Sequence, residues 1–138
     1  IIVLPETWNT GFHPSKDLIN ISDRNGERTK ALLSTFAKEH NVNIVGGSVA
    51  VAKEDLVFNT SYAYNREGKL VGEYSKMHGF SPAKEDQYFA SGTHTTHFEL
   101  DGIPCSTVIC YDIRFPELVR MAALSNTELL CVYATGKY

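Results

Sequence analysis

The chain has 138 residues, 43% hydrophobic and 21% charged, with a formal net charge of −3. That composition suits one packed domain, or part of one, and excludes a largely disordered chain. Lys and Arg are spread along the sequence, which argues against nucleic acid as the main partner, and no apolar run approaches the roughly 20 residues that cross a bilayer.

Residues 1 to 4 (Ile-Ile-Val-Leu) read as a buried strand ending at Pro5, followed by a polar loop from Glu6 to Pro14. Residues 26 to 40 read as an amphipathic helix with Leu32, Leu33, Phe36 and Ala37 on one face. Residues 42 to 51 predict a strand containing Gly46-Gly47, a pair that lets another segment approach closely. Residues 56–64 and 69–75 predict a hairpin around a turn at 65–68, with Gly68 suited to positive φ. A loop-like stretch runs from 76 to 95. Strands are expected at 96–100, 103–109 and 128–133, and a helix at 115–125 with Pro116 in its first turn. Alternating strands and helices indicate an α/β layered fold. Core-type strands at both ends predict an internal piece of a larger domain, since such strands need neighbours on both sides.

Three cysteines are present, Cys105, Cys110 and Cys131. The odd count and the absence of a C-x-x-C pair point to reduced thiols in a cytoplasmic protein, away from a disulfide framework or a zinc site. Cys105 and Cys131 lie inside apolar strands and read as core. Cys110 ends an apolar run, with a helix expected directly after it. A turn there exposes the sulfur, and free N–H groups at a helix start can lower a thiol pKa or bind an oxyanion. Glu6 and Lys76 also stand at the ends of apparent strands, where active sites gather in layered α/β folds. A thiol, an ammonium and a carboxylate suffice for acyl transfer.

Three segments single these residues out. Leu4-Pro5-Glu6-Thr7-Trp8-Asn9-Thr10-Gly11, Tyr74-Ser75-Lys76-Met77-His78 and Ile109-Cys110-Tyr111-Asp112-Ile113-Arg114-Phe115-Pro116-Glu117 together resemble the nitrilase superfamily of carbon–nitrogen hydrolases, in order and in spacing. The resemblance implies a four-layer α-β-β-α sandwich, incomplete in this chain because the family domain is nearly twice as long. It implies Glu6 as general base and acid, Lys76 as oxyanion stabiliser and Cys110 as nucleophile. Glu85 would be a second acid that orients Lys76, with Asp86 as the alternative register. Tyr111 would offer its backbone N–H to the oxyanion, and Asp112 and Arg114 would pair or orient the turn beside the substrate. No metal or organic cofactor is implied. The Cys-Tyr-Asp-Ile-Arg-Phe-Pro-Glu run is most similar to the ω-amidase and Nit-like branch, which implies a small carboxylated amide as substrate and a homodimer formed through the layer carrying the helix after the cysteine. Ser75 and Gly79 depart from the commoner residues at their positions and bear on substrate preference.

His94-x-x-His97 has the spacing of a metal pair but no third ligand, and Gly46-Gly47 is not followed by a phosphate-loop pattern. Trp8, Asn9 and Phe12 fit a pocket mouth or core packing. A non-catalytic fragment or scaffold, an N-carbamoyl amide or nitrile hydrolase, and a papain-like Cys–His enzyme are the competing functions. The last lacks a partner pattern for His40 or His78.

Overall fold

A computed structural model describes residues 1–12 and 15–135. The expectations touching His13, Pro14 and residues 136–138 lie outside the described residues. Its secondary structure is mixed α/β, with two sheets. The first sheet is built from β1 (Ile2–Val3), β2 (Asp23–Arg24), β3 (Ile44–Val45), β4 (Val49–Lys53), β5 (Leu56–Tyr64) and β6 (Leu70–Ser75). The long β5 is its spine. It pairs antiparallel with β6 on one side and with β3 and β4 on the other, while β1 and β2 run parallel to β3 and β4 at the outer edge. The second sheet is β7 (His97–Leu100), β8 (Ile103–Ile109) and β9 (Leu129–Tyr133), with β7 antiparallel and β9 parallel to β8.

The alternation of side chains along a strand decides the layers. On β5, Tyr62 and Tyr64 join Leu33 and Ala37 of helix α2 (Glu27–His40) in one apolar cluster. Ala63, on the opposite face, joins Val45 and Tyr74 against Phe98, Leu100, Cys105, Ile109, Cys131 and Tyr133 of the second sheet. The two sheets therefore pack face to face. The helix α3 (Pro116–Leu124) links the parallel neighbours β8 and β9. The first sheet covers the inner face of the second, which leaves the outer face for this crossover.

The expected 42–51 strand is broken. Gly46 keeps the pairing through its N–H to Tyr62 O at 2.8 Å, but Gly47 turns at φ +58. What approaches closely is the chain's own Pro5, whose carbonyl would lie 2.0 Å from a Cβ added at Gly47. Two short elements had no sequence signal: α1 (Leu18–Ile21), a single turn, and β2, two polar residues held by pairing with β4. On α2 the expected apolar face is half realised. Leu33 and Ala37 are buried, whereas Leu32 and Phe36 face outward at 54% and 41% exposure.

Candidate active site

The site lies between the two sheets, at the end where β5 begins and β8 finishes. Glu6 is placed by the kink at 46–48. Ser48 donates its N–H to Pro5 O (3.0 Å), and its Oγ and carbonyl accept the N–H groups of Thr7 (3.1 Å) and Trp8 (3.2 Å). These bonds flank Glu6 on both sides and turn its side chain inward, where it is fully buried.

Lys76 immediately follows β6. Its N–H donates to Asn59 O on β5 and its carbonyl accepts the N–H of Gly92, both at 2.8 Å. Gly92 is needed for that clamp, because a Cβ there would sit 2.0 Å from Ser75 O. Lys76 shares its inward parity with Tyr74 and enters the space between the sheets. Its Nζ donates to Glu6 Oε1 at 2.8 Å and to Glu85 Oε1 and Oε2 at 2.9 and 2.8 Å. Burial pulls its pKa down, but the charges of Glu6 and then Glu85, with their hydrogen bonds, outweigh it and hold the ammonium above its ordinary value.

The stretch from 76 to 95 is less loop-like than its composition suggests. Two 3₁₀ turns, Ser81–Ala83 and Glu85–Gln87, are joined by Lys84 in a left-handed conformation. They fold Glu85 inward while Asp86 stays exposed. Glu85 Oε2 accepts the Phe80 N–H at 2.8 Å and its Oε1 accepts from Asn59 Nδ2 at 3.2 Å. With the two Lys76 contacts, both oxygens of Glu85 are saturated.

Cys110 stands at φ +50, a conformation that non-glycine residues rarely hold, and strain of this kind gathers at functional sites. The expected direct break from strand to helix is not found. A 3₁₀ segment, Cys110–Arg114, intervenes, and α3 starts only at Pro116. The expected lowering of the thiol pKa is also not found. Burial, then the Glu6 charge, push it up to about 11 against the opposing pull of Lys76. The surroundings of the thiol therefore favour its protonated form.

Asp112 holds this turn. It is fully buried, and its Oδ2 accepts Tyr74 O–H (2.7 Å) and Ile109 N–H (3.1 Å). Its Oδ1 accepts His78 N–H (2.9 Å) and contacts His78 Nδ1 (2.8 Å). The Cys110 turn is thus tied to the strand end that carries Lys76. Burial and the adjacent Asp112 carboxylate both raise the Tyr74 pKa. The expected pairing of Asp112 with Arg114 is absent among the described residues. Arg114 is exposed, and Asp112 is instead in hydrogen-bond contact with His78. Tyr111 meets Phe80 and Phe115 edge-on, at 5.1 and 5.5 Å between ring centres, and His78 stacks on Phe115 at 3.6 Å.

Of the two readings open for Trp8, pocket mouth or core packing, the structure shows packing, against the cluster of Leu33 and Tyr62. Trp8 donates Nε1–H to Gly46 O, and Asn9 brackets Ala50 through its N–H and carbonyl. Both line a hollow of about 530 Å³ with Asp23, Arg28 and Leu32, which neither Cys110 nor Lys76 touches. Beside Asn59, Lys76 and Glu85 the free space is only about 10 Å³. His94 and His97 bond separately to Thr93 Oγ1 and Ser106 Oγ. Among the described residues no cluster of three or more His, Cys, Asp or Glu side chains could hold a metal ion. Asn59 and His78, both in contact with the site's charged groups, were missed by sequence reasoning. Asn59 gave no signal beyond its place in an alternating strand, and His78 was considered only as a papain-type partner.

The two-sheet fold and the grouping of Glu6, Lys76, Glu85 and Cys110 have counterparts among known proteins. The sequence profile of the carbon–nitrogen hydrolase family matches residues 1–138. The chain belongs to that family. It is 41% identical over 134 residues to the 2-oxoglutaramate amidase of Bacillus subtilis, covering 97% of this chain and 51% of that protein. It is 31% identical over 144 residues to the chloroplastic omega-amidase of Arabidopsis thaliana, covering 95% and 38%. Among solved structures, Nit3 of Saccharomyces cerevisiae, a member of branch 10 of the nitrilase superfamily, superposes with a TM-score of 0.83 at 27% identity, covering 98% of this chain and 51% of that one. The chain spans about half the length of the curated relatives it matches first.

Proposed function

We propose that this chain carries the catalytic centre of a thiol-dependent amidase that converts a small carboxylated amide to the acid and ammonia through a cysteine thioester. The observation that carries the reading is the unequal occupancy of the two buried carboxylates. Both oxygens of Glu85 are saturated by Lys76, Asn59 and Phe80, so it is fixed as a partner of the ammonium. Glu6 accepts one donor fewer, from Lys76, Asn59 and Thr135, which leaves an acceptor position on Oε2, and its charge acts on the Cys110 thiol.

The chemistry follows from that asymmetry. Cys110 Sγ attacks the amide carbon as its proton passes to Glu6. The oxyanion takes one N–H from Lys76, whose double contact with Glu85 relaxes to a single bond. The second N–H is that of Tyr111, in the first turn of the 3₁₀ segment, where backbone donors have no partner inside the helix. Collapse breaks the C–N bond, and Glu6 returns its proton to the departing nitrogen, which leaves as ammonia. Water, losing a proton to Glu6, then attacks the thioester. Collapse expels the Cys110 sulfur, which regains that proton, and the acid is released.

The named activities of the relatives support an ω-amide of a dicarboxylic acid as the substrate class. Ile113, Met121 and Leu124, exposed at 44%, 51% and 70%, support pairing of two copies through the α3 layer. The test is ammonia release from such an amide by the natural full-length protein, with intact-mass detection of the acyl adduct. Cys110→Ala is expected to abolish both, and unchanged turnover in that variant would falsify the mechanism.

A further inference from the structure

Charge inside the site does not balance. Lys76 brings one positive charge against the carboxylates of Glu6 and Glu85, all with side chains at most 2% exposed. Neutral donors offset the surplus: Thr135 N–H on Glu6 (3.0 Å), Phe80 N–H on Glu85 (2.8 Å), and the side chain of Asn59. The Asn59 amide differs from the other two because it spans both acids. Its Nδ2 lies 3.0 Å from Glu6 Oε1 and 3.2 Å from Glu85 Oε1. Carboxylate oxygens only accept, so the amide cannot be turned over without facing oxygen to oxygen. Its Oδ1 is left buried, with no hydrogen-bond partner among the described residues. A side chain serving only the fold would avoid that cost. The Asn59 carbonyl meanwhile receives the Lys76 N–H, so one residue of the central strand grips the ammonium's backbone and both of its counter-ions.

We infer that Asn59 is a positioning residue of the acyl-transfer chemistry, holding Glu6 and Glu85 in fixed register around Lys76 so that Glu6 alone receives the Cys110 proton. This rests on the thiol-amidase reading above. The titratable groups around the amide come from four elements: Glu6 from the loop after β1, Lys76 from the end of β6, Glu85 from its 3₁₀ turn and Cys110 from the end of β8. Tyr133 of β9, whose pKa is raised chiefly by burial, also feels the Glu6 charge.

The experiment compares Asn59→Asp and Asn59→Ser in the natural full-length protein. Asn59→Asp keeps the shape but sets a third carboxylate against the other two. Its kcat is expected to fall about 10²-fold with KM within about threefold. The acid limb of its kcat profile, and its pH profile for Cys110 alkylation by iodoacetamide, should both move to higher pH. Asn59→Ser cannot span both acids and should lose about tenfold in kcat, with its alkylation profile close to native because no charge is added. Native kcat in a folded Asn59→Ser, or a native alkylation profile in a folded Asn59→Asp, would overturn the inference. If the aspartate variant does not fold, the kcat of the serine variant decides alone. Alkylation needs no turnover, so its outcome is separate from the Cys110→Ala test of the thiol mechanism.

Discussion

Charged groups join the two sheets at both ends of the molecule, and the two ends behave as opposites. At one end, beside the start of β5 and the finish of β8, Lys76 sits between Glu6 and Glu85 with almost no solvent contact. At the other, past the finish of β5 and before the start of β8, Arg66 binds Asp101 in the open. Asp101 also accepts Asn43 Nδ2 at 2.7 Å, and Arg66 Nε reaches Asp101 Oδ1 at 2.8 Å. Arg66 and Asp101 are 39% and 44% exposed. Burial makes the difference. Water competes for the open pair and salt screens it, whereas the enclosed charges have only one another and a few N–H donors. The open pair ties two hairpin turns together; the enclosed set keeps more of its electrostatic strength because little solvent reaches it.

The comparison can be broken most severely at Lys76. Lys76→Met leaves two facing buried carboxylates without their ammonium and should destabilise the fold by about 3–5 kcal/mol, read as the midpoint of a urea melt, with amidase turnover lost. Arg66→Met should shift the same melt far less, and a comparable shift would mean that burial does not separate the two ends. Next in size, Glu85→Gln should lower kcat about 10²-fold, because an amide offers one acceptor oxygen where Lys76, Asn59 and Phe80 now share two. Stopped-flow ammonia release would measure it. Asp112→Asn should cost about 1–3 kcal/mol, since the N–H groups and Tyr74 O–H that meet its oxygens would face an NH₂ at one of them. Retained native stability in that variant would show that the Cys110 turn holds itself.

Two pH effects sharpen the contrast. Without substrate, alkylation of Cys110 should be slow near neutrality and climb with pH toward about 11, because the folded protein favours the protonated thiol. A plateau below pH 8 would indicate a preformed thiolate. At the open end, Arg66 and Asn43 hold the Asp101 carboxyl below its ordinary range by hydrogen bonding. A lowered pKa adds stability above the unfolded carboxylate value and loses it as pH falls through the folded one. Asp101→Asn should therefore remove a small, salt-sensitive contribution at neutral pH that is already absent in strong acid. This is the smallest effect expected.

Much of this was legible in order along the chain. Residue patterning and turn residues placed α2, β5, β6, β8, α3 and β9 within a residue or two. Glu6, Lys76, Glu85 and Cys110 stood out through local motifs, and the structure gathers them at one end of the sheets. The failures share a cause. The strand at 42–51 breaks because Pro5 needs room at Gly47, β2 exists only by pairing with β4, and Leu32 lies outward on a helix whose contact with the sheet is narrow. None of these is written in a residue's near neighbours.

Asn59 marks the boundary. By itself the sequence determined the layered α/β class through its residue patterning, and it pointed to the family and to which thiol, ammonium and acids to examine through the resemblance that three ordered motifs carry. Only the tertiary structure decided that Glu85 is saturated while Glu6 keeps an acceptor position open. It also decided that the thiol pKa is raised instead of lowered, that Asp112 turns to His78 and not to Arg114, and that an asparagine on β5 spans both acids. The physical reason is that occupancy and burial belong to groups brought together from distant strands. A residue's type says which bonds it can make; the packing of the two sheets decides which of them are left open for chemistry.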